Sequence, residues 1–161
     1  MILENSSRLK MDLNSKNSYY GYTAFQLACC YGHSKLTKII MDTSSKLKIN
    51  LSTKNNFGCS SFHLVCWKGH SEIAEMIMNN SSMIKIDLNC KDERQETAFH
   101  LACKFNHTRI VEMMIERSKR HNIDLTAKGQ FGKNGYQIAE IHKNTEVINL
   151  IRTKMPSLVV Q

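Results

Sequence analysis

Proline is nearly missing from this 161-residue chain, occurring once, and tryptophan also occurs once. No apolar run approaches the roughly 18 residues that a membrane-spanning helix needs, which sets aside a helical membrane protein. The opening Met-Ile-Leu-Glu-Asn-Ser-Ser-Arg lacks the apolar central region of a signal peptide and gives no support for secretion. Six cysteines and seven histidines are present, yet no C-x2-C or H-x3-H pair stands at metal-ligand spacing, and Cys29 and Cys30 are adjacent. Zinc is therefore disfavoured. No glycine-rich phosphate loop occurs either.

What is present is a period. Phe25, Phe62, Phe99 and Tyr136 follow one another at steps of 37, as do His33, His70 and His107, and Cys29, Cys66 and Cys103. A fixed period between about 20 and 50 residues marks a stacked repeat array. The clearest copy is Thr97-Ala98-Phe99-His100-Leu101-Ala102-Cys103, followed by Asn106-His107-Thr108. The first copy is Thr23-Ala24-Phe25-Gln26-Leu27-Ala28-Cys29 with Gly32-His33, and the second is Ser60-Ser61-Phe62-His63-Leu64-Val65-Cys66 with Gly69-His70. The fourth, Asn134-Gly135-Tyr136-Gln137-Ile138-Ala139-Glu140, ends at Asn144 instead of histidine.

The phrase resembles the ankyrin repeat, T-P-L-H-x-A-A-x-x-G-H after a glycine-bearing turn, although the family's period is about 33. Ala24, Ser61, Ala98 and Gly135 stand where the consensus has proline. The resemblance implies an all-α solenoid of stacked helix-turn-helix units joined by β-hairpin loops, with about four units. The expected organisation is a single array: 1–10 as the remnant of a preceding repeat, then 11–48, 49–85, 86–122, and a degenerate closing unit at 123–161. Residues 5–13 track residues 80–88, so the chain reads as a piece of a longer array.

Hydrophobic residues make up 42% of the chain, enough for a continuous core. Cys29, Cys66 and Cys103 occupy equivalent places in successive units, and packed helices lie roughly 8–10 Å apart. A disulfide needs Cα atoms within about 4.4–6.8 Å, so these cysteines read as small core side chains. A reduced, cytoplasmic setting follows. The formal charge is +8. Its lysines and arginines are scattered, with Arg117, Lys119 and Arg120 the one dense cluster, which disfavours nucleic acid.

Each unit repeats one plan. A hairpin segment (13–22, 51–59, 88–96, 125–133) carries Gly21, Gly58 or Gly132 at its turn, and Gln95 in the third unit predicts a turn that is strained or of another type. Thr23, Ser60, Thr97 and Asn134 are N-cap types for a first helix. Gln26, His63, His100 and Gln137, three places on, are placed to bond back to the cap and the neighbouring turn. Second helices are expected from Ser34, Ser71, Thr108 and Thr145, with apolar positions at Leu36, Ile39, Ile40; Ile73, Met76, Ile77; Ile110, Met113, Met114; and Val147, Leu150, Ile151. The extra residues of the period fall after the second helix, either as a longer loop or as an added turn. The added turn is favoured in the third unit, where residues 116–120 are good helix formers.

Catalysis has no foothold in this pattern. Cys66 with His63 or His70 is copied by Cys103 with His100 or His107, whereas an active site is needed once. What remains is surface. In ankyrin proteins the hairpin tips and first helices form a concave face that binds other proteins. The places on that face carry Tyr19, Tyr20, Tyr22, Tyr31, Phe57, Trp67, Lys68, Arg94, Lys104, Phe105 and Phe131, a set rich in the aromatic and arginine types that dominate interfaces. Trp67, Tyr31 and Phe105 are expected to form an apolar row. Lys68, Lys104 and Arg94 are expected to select a protein partner with acidic groups. The expectation is a monomeric, non-catalytic recognition module with no cofactor, no metal and no membrane association. The rival readings are a structural spacer within a longer array and a basic nucleic-acid-binding surface.

Overall fold

A computed structural model describes residues 12–159; the expected remnant at 1–10 lies outside the described residues. The described chain forms four helix pairs: α1 (Ala24–Cys30) with α2 (Ser34–Thr43), α3 (Ser61–Lys68) with α4 (Ser71–Asn80), α5 (Ala98–Lys104) with α6 (Thr108–His121), and α7 (Gly135–Ile141) with α8 (Thr145–Lys154). The first helices contact one another in order, α1 to α3 to α5 to α7. The second helices form a parallel layer, α2 to α4 to α6 to α8. The result is a two-layer helical solenoid.

Capping fixes where each first helix starts. The Gln26 amide donates to Thr23 Oγ1 at 3.3 Å, and the Thr23 amide donates to Gln26 Oε1 at 3.1 Å. Asn134 and Gln137 repeat this reciprocal pair in the fourth unit. Each box satisfies two helix-end donors at once. In the second and third units the histidine does the work of glutamine. The Ser60 and Thr97 amides donate to Nδ1 of His63 and His100 at 3.2 and 3.1 Å. Nδ1 is then an acceptor, so Nε2 carries the proton, and it donates to Glu96 O and Lys133 O at 3.1 Å in each case. The side chain that caps one unit thereby ties down the hairpin of the next.

The core follows the period. Phe25, Phe62, Phe99 and Tyr136 are all buried, as are Cys29, Cys66 and Cys103. Full burial of each large side chain is worth about 1.5–3 kcal/mol. The second layer is buried through Ile73, Ile77, Ile110, Met113, Met114, Val147 and Ile151. Leu36 and Ile39 depart from the expected core, being 43% and 50% exposed. α2 packs on α4, and among the described residues no helix covers its other side.

Two further points refine the sequence reading. The second helices begin at Ser34, Ser71, Thr108 and Thr145 as expected, but these capping-type residues are the first helical residues, and the cap positions fall to His33, His70, His107 and Asn144, without a side-chain cap bond. The reason lies in the previous unit. His70 Nε2 donates to Cys30 O at 3.0 Å and His107 Nε2 to Trp67 O at 2.9 Å, while Asn144 Nδ2 reaches both Cys103 O and Lys104 O at 2.8 Å. These side chains point back to satisfy carbonyls at the end of the preceding first helix instead of capping their own. Secondly, the hairpins contain no strand among the described residues. Each finger is closed at its base by a main-chain bond, from Asn17 N to Tyr22 O, Asn55 N to Cys59 O, Asp92 N to Glu96 O, and Gly129 N to Lys133 O. A second bond tightens the tip, from Gly21 N to Asn17 O, Gly58 N to Asn55 O, Gln95 N to Asp92 O, and Gly132 N to Gly129 O.

The added turn does form in the third unit, where α6 runs for 14 residues against 10 in α2, α4 and α8. Arg117 on that longer helix reaches back to Glu75 at 2.5 Å, and Lys154 of α8 bonds Glu112 at 2.8 Å and also Glu116.

Candidate functional site: a groove between fingers and first helices

Fingers 1 to 3 are joined by their main chains. The Asn56 amide donates to Tyr20 O at 3.0 Å, and the Glu93 amide donates to Phe57 O at 3.1 Å. Inside each finger one side chain folds the tip. Asn17 Oδ1 accepts from the amides of Tyr20 and Tyr22, Asn55 Oδ1 from Phe57 and Cys59, and Asp92 Oδ1 from Arg94 and Glu96. Close contact demands glycine at the second tip: a Cβ on Gly58 (φ 72°) would stand 2.9 Å from Glu93 N. In the third finger Gln95 takes the same left-handed conformation at φ 62°, which is the strain expected of a non-glycine residue there.

Between this finger row and the first helices lies a groove of about 390 Å³. Seven of the residues singled out from sequence line it: Tyr20, Tyr22, Phe57, Trp67, Arg94, Lys104 and Phe105. Trp67 and Phe105 have ring centroids 6.4 Å apart, and Tyr20 and Phe57 meet across neighbouring fingers at 6.1 Å. Tyr20 also stacks on Tyr22 at 5.4 Å. Trp67, Phe105 and Phe57 remain 36%, 43% and 49% exposed.

Four of the expected residues are not among the groove lining. Tyr19 lies edge-on to Tyr20, and Phe131 projects from the fourth finger. Tyr31 leans on His33 and does not join Trp67 and Phe105 in the expected apolar row. Lys68 lies over the Trp67 ring, its Nζ 3.8 Å from the centroid. The cations are not a free row either. Lys104 pairs with the buried Glu96 at 3.5 Å, which leaves Arg94 as the groove-lining cation without an ion pair among the described residues.

Sequence reading missed Leu64 and Leu101, which line the groove from α3 and α5. It also missed Asn55 and Asp92, the residues that fold the fingertips. Their recurrence with Asn17 was a visible signal, since an Asx residue five or six places before the first-helix cap in three of the units is a turn-former. His63 lines the groove too, but both ring nitrogens are engaged and burial holds its pKa below the ordinary value. Burial pushes the thiols of Cys29 and Cys59 up to about 12, so neither offers a thiolate at neutral pH.

Residues 2–89 match a family profile described as ankyrin repeats in three copies, and residues 83–139 match one described as ankyrin repeats in many copies. The chain belongs to the ankyrin repeat family. Repeats of this family are generally non-catalytic protein–protein interaction modules. No curated protein matches the chain. No helix among the described residues is long and apolar enough to cross a membrane.

Proposed function

We propose that this chain recognises another protein, without catalysis, through the groove between its fingers and first helices. The observation that carries the reading is the exposure of Trp67 and Phe105 side by side within a concave surface whose finger wall adds Tyr20 and Phe57. Large aromatics left open to water cost solubility, and truncating an aromatic anchor at an interface typically costs about 2 kcal/mol or more. The raised thiol pKa values and fully bonded His63 speak for recognition over chemistry. Six free thiols suit a reducing compartment, and the proposal places the chain in the cytoplasm.

The test is capture of a partner from extract of the source cells with intact protein and with a Trp67→Ala/Phe105→Ala variant. Both must show the same helical circular dichroism. A partner retained by the intact chain and lost by the variant supports the reading. Equal capture by both overturns it.

A further inference from the structure

We infer that the groove takes a peptide segment anchored by a large uncharged side chain, with a main-chain carbonyl of that segment accepting from Asn55 Nδ2. The inference rests on the recognition function proposed above and specifies its ligand.

Although the whole chain is strongly basic at +8, the groove is not. Its lining holds three carboxylates, Asp92, Glu93 and Glu96, against two cations, Arg94 and Lys104. Most of that charge is already used inside the protein. Asp92 Oδ1 holds two fingertip amides, Glu96 is paired with Lys104, and Lys68, just outside, covers Trp67. The free charges that remain, Arg94 and Glu93, are neighbours of opposite sign on one fingertip. An acidic ligand would meet Glu93 as soon as it met Arg94. An uncharged apolar side chain meets Trp67, Phe105, Leu64 and Leu101 at no such cost. A volume of about 390 Å³ is at the small end of ligand pockets, which span about 300–1,000 Å³, and suits one or two side chains.

Asn55 supplies the second, independent observation. It is only 6% exposed, and its Oδ1 is committed to the fingertip amides of Phe57 and Cys59. Its Nδ2 reaches no acceptor within ordinary hydrogen-bond length, and among the groove-lining residues it is the buried polar atom left in that condition. It sits beside the Tyr22 phenol, toward which it stands as a donor; burial raises the phenol's pKa and this donor pulls it down. A buried donor without a partner is costly, and a ligand carbonyl entering past Tyr22 would satisfy it. Asp92, the equivalent residue of the next finger, folds its tip through Oδ1 alone, so the amide nitrogen of Asn55 is not needed for the turn.

The test is to pan a phage-displayed random peptide library on the intact chain and measure the enriched peptides against variants. The expected peptides share a large apolar residue without enrichment of Asp or Glu, and bind nearly equally at low and high salt. They lose binding to Trp67→Ala/Phe105→Ala and weaken about tenfold on Asn55→Asp, which keeps the fingertip bonds but removes the donor. Thermal melts of each variant exclude misfolding. Acid-rich peptides with steep salt dependence that still need Trp67 and Phe105 would overturn the uncharged anchor and leave the groove reading intact. Peptides that bind the double variant as well as the intact chain, or no enrichment at all, would overturn both. Undiminished binding to Asn55→Asp would overturn the role of Nδ2.

Discussion

His63 and His100 each fill the capping place that Gln26 and Gln137 fill in the other units, and their burial makes them acid-sensitive residues of the fold. Burial holds both below the ordinary 6.5, opposed only in part by their bonds to Glu96 O and Lys133 O. The folded state therefore binds fewer protons than the unfolded chain once pH falls below about 6.5. Stability from these groups is full above that pH and is lost as pH drops toward the folded values. A His63→Gln/His100→Gln variant should match the wild type near pH 8 and show a flatter decline in chemical-denaturation stability between about pH 7 and 5. An unchanged acid limb would show that other groups govern it. Gln95 carries a second residue-scale prediction. At φ 62° it occupies a conformation that Gly21, Gly58 and Gly132 hold in the other fingers. Gln95→Gly should raise stability by about 0.5 kcal/mol, the relief of left-handed strain less the added freedom of the unfolded chain, read as a higher melting temperature. At this scale the sequence was legible where one residue type recurs at one register: caps, core aromatics and buried cysteines all stood out. Asn55 and Asp92 were overlooked although they stand one period apart, because their work is done on amides within their own tip and leaves no apolar mark.

The second helices show where pattern and structure part. Serine and threonine at Ser34, Ser71, Thr108 and Thr145 are good cap residues, yet they enter the helix one position early. The residue before the last three of them, His70, His107 or Asn144, is committed to the preceding unit. A long-range bond decides the boundary, and no local propensity encodes it. Asn144 thus does the work of the histidine it replaces. Asn144→Ala should cost about 1–3 kcal/mol by leaving the Cys103 and Lys104 carbonyls unpaired, while Asn144→His should retain most of the stability, both measured by urea unfolding. The lengthened α6 was readable, since residues 116–120 are helix formers and the corresponding segments after α2 and α4 are rich in serine and asparagine.

For the whole molecule, the 37-residue period was enough to define a stacked two-layer array, because each unit buries its face only against its neighbours. The partnership within the groove was less legible. Sequence register places Tyr31, Lys68 and Phe105 in one row and Trp67 with Lys104 in another, but which of them meet depends on side-chain directions. Phe105 turns toward Trp67, Lys68 folds over it, and Lys104 turns to Glu96. The overall charge of +8 was likewise a poor guide to the groove, where the carboxylates of the third finger offset the cations.

The central claim is that a protein partner seats between fingers and first helices. The most direct measurement is site-specific photocrosslinking in extract of the source cells. A photoreactive side chain would replace Phe57 at the groove wall in one preparation, and Met83 in the other; Met83 is also exposed but lies on the loop after α4, outside the groove. The account predicts that one protein crosslinks from position 57 and not from position 83. Crosslinking of that protein from position 83 alone, or equally from both, would contradict it.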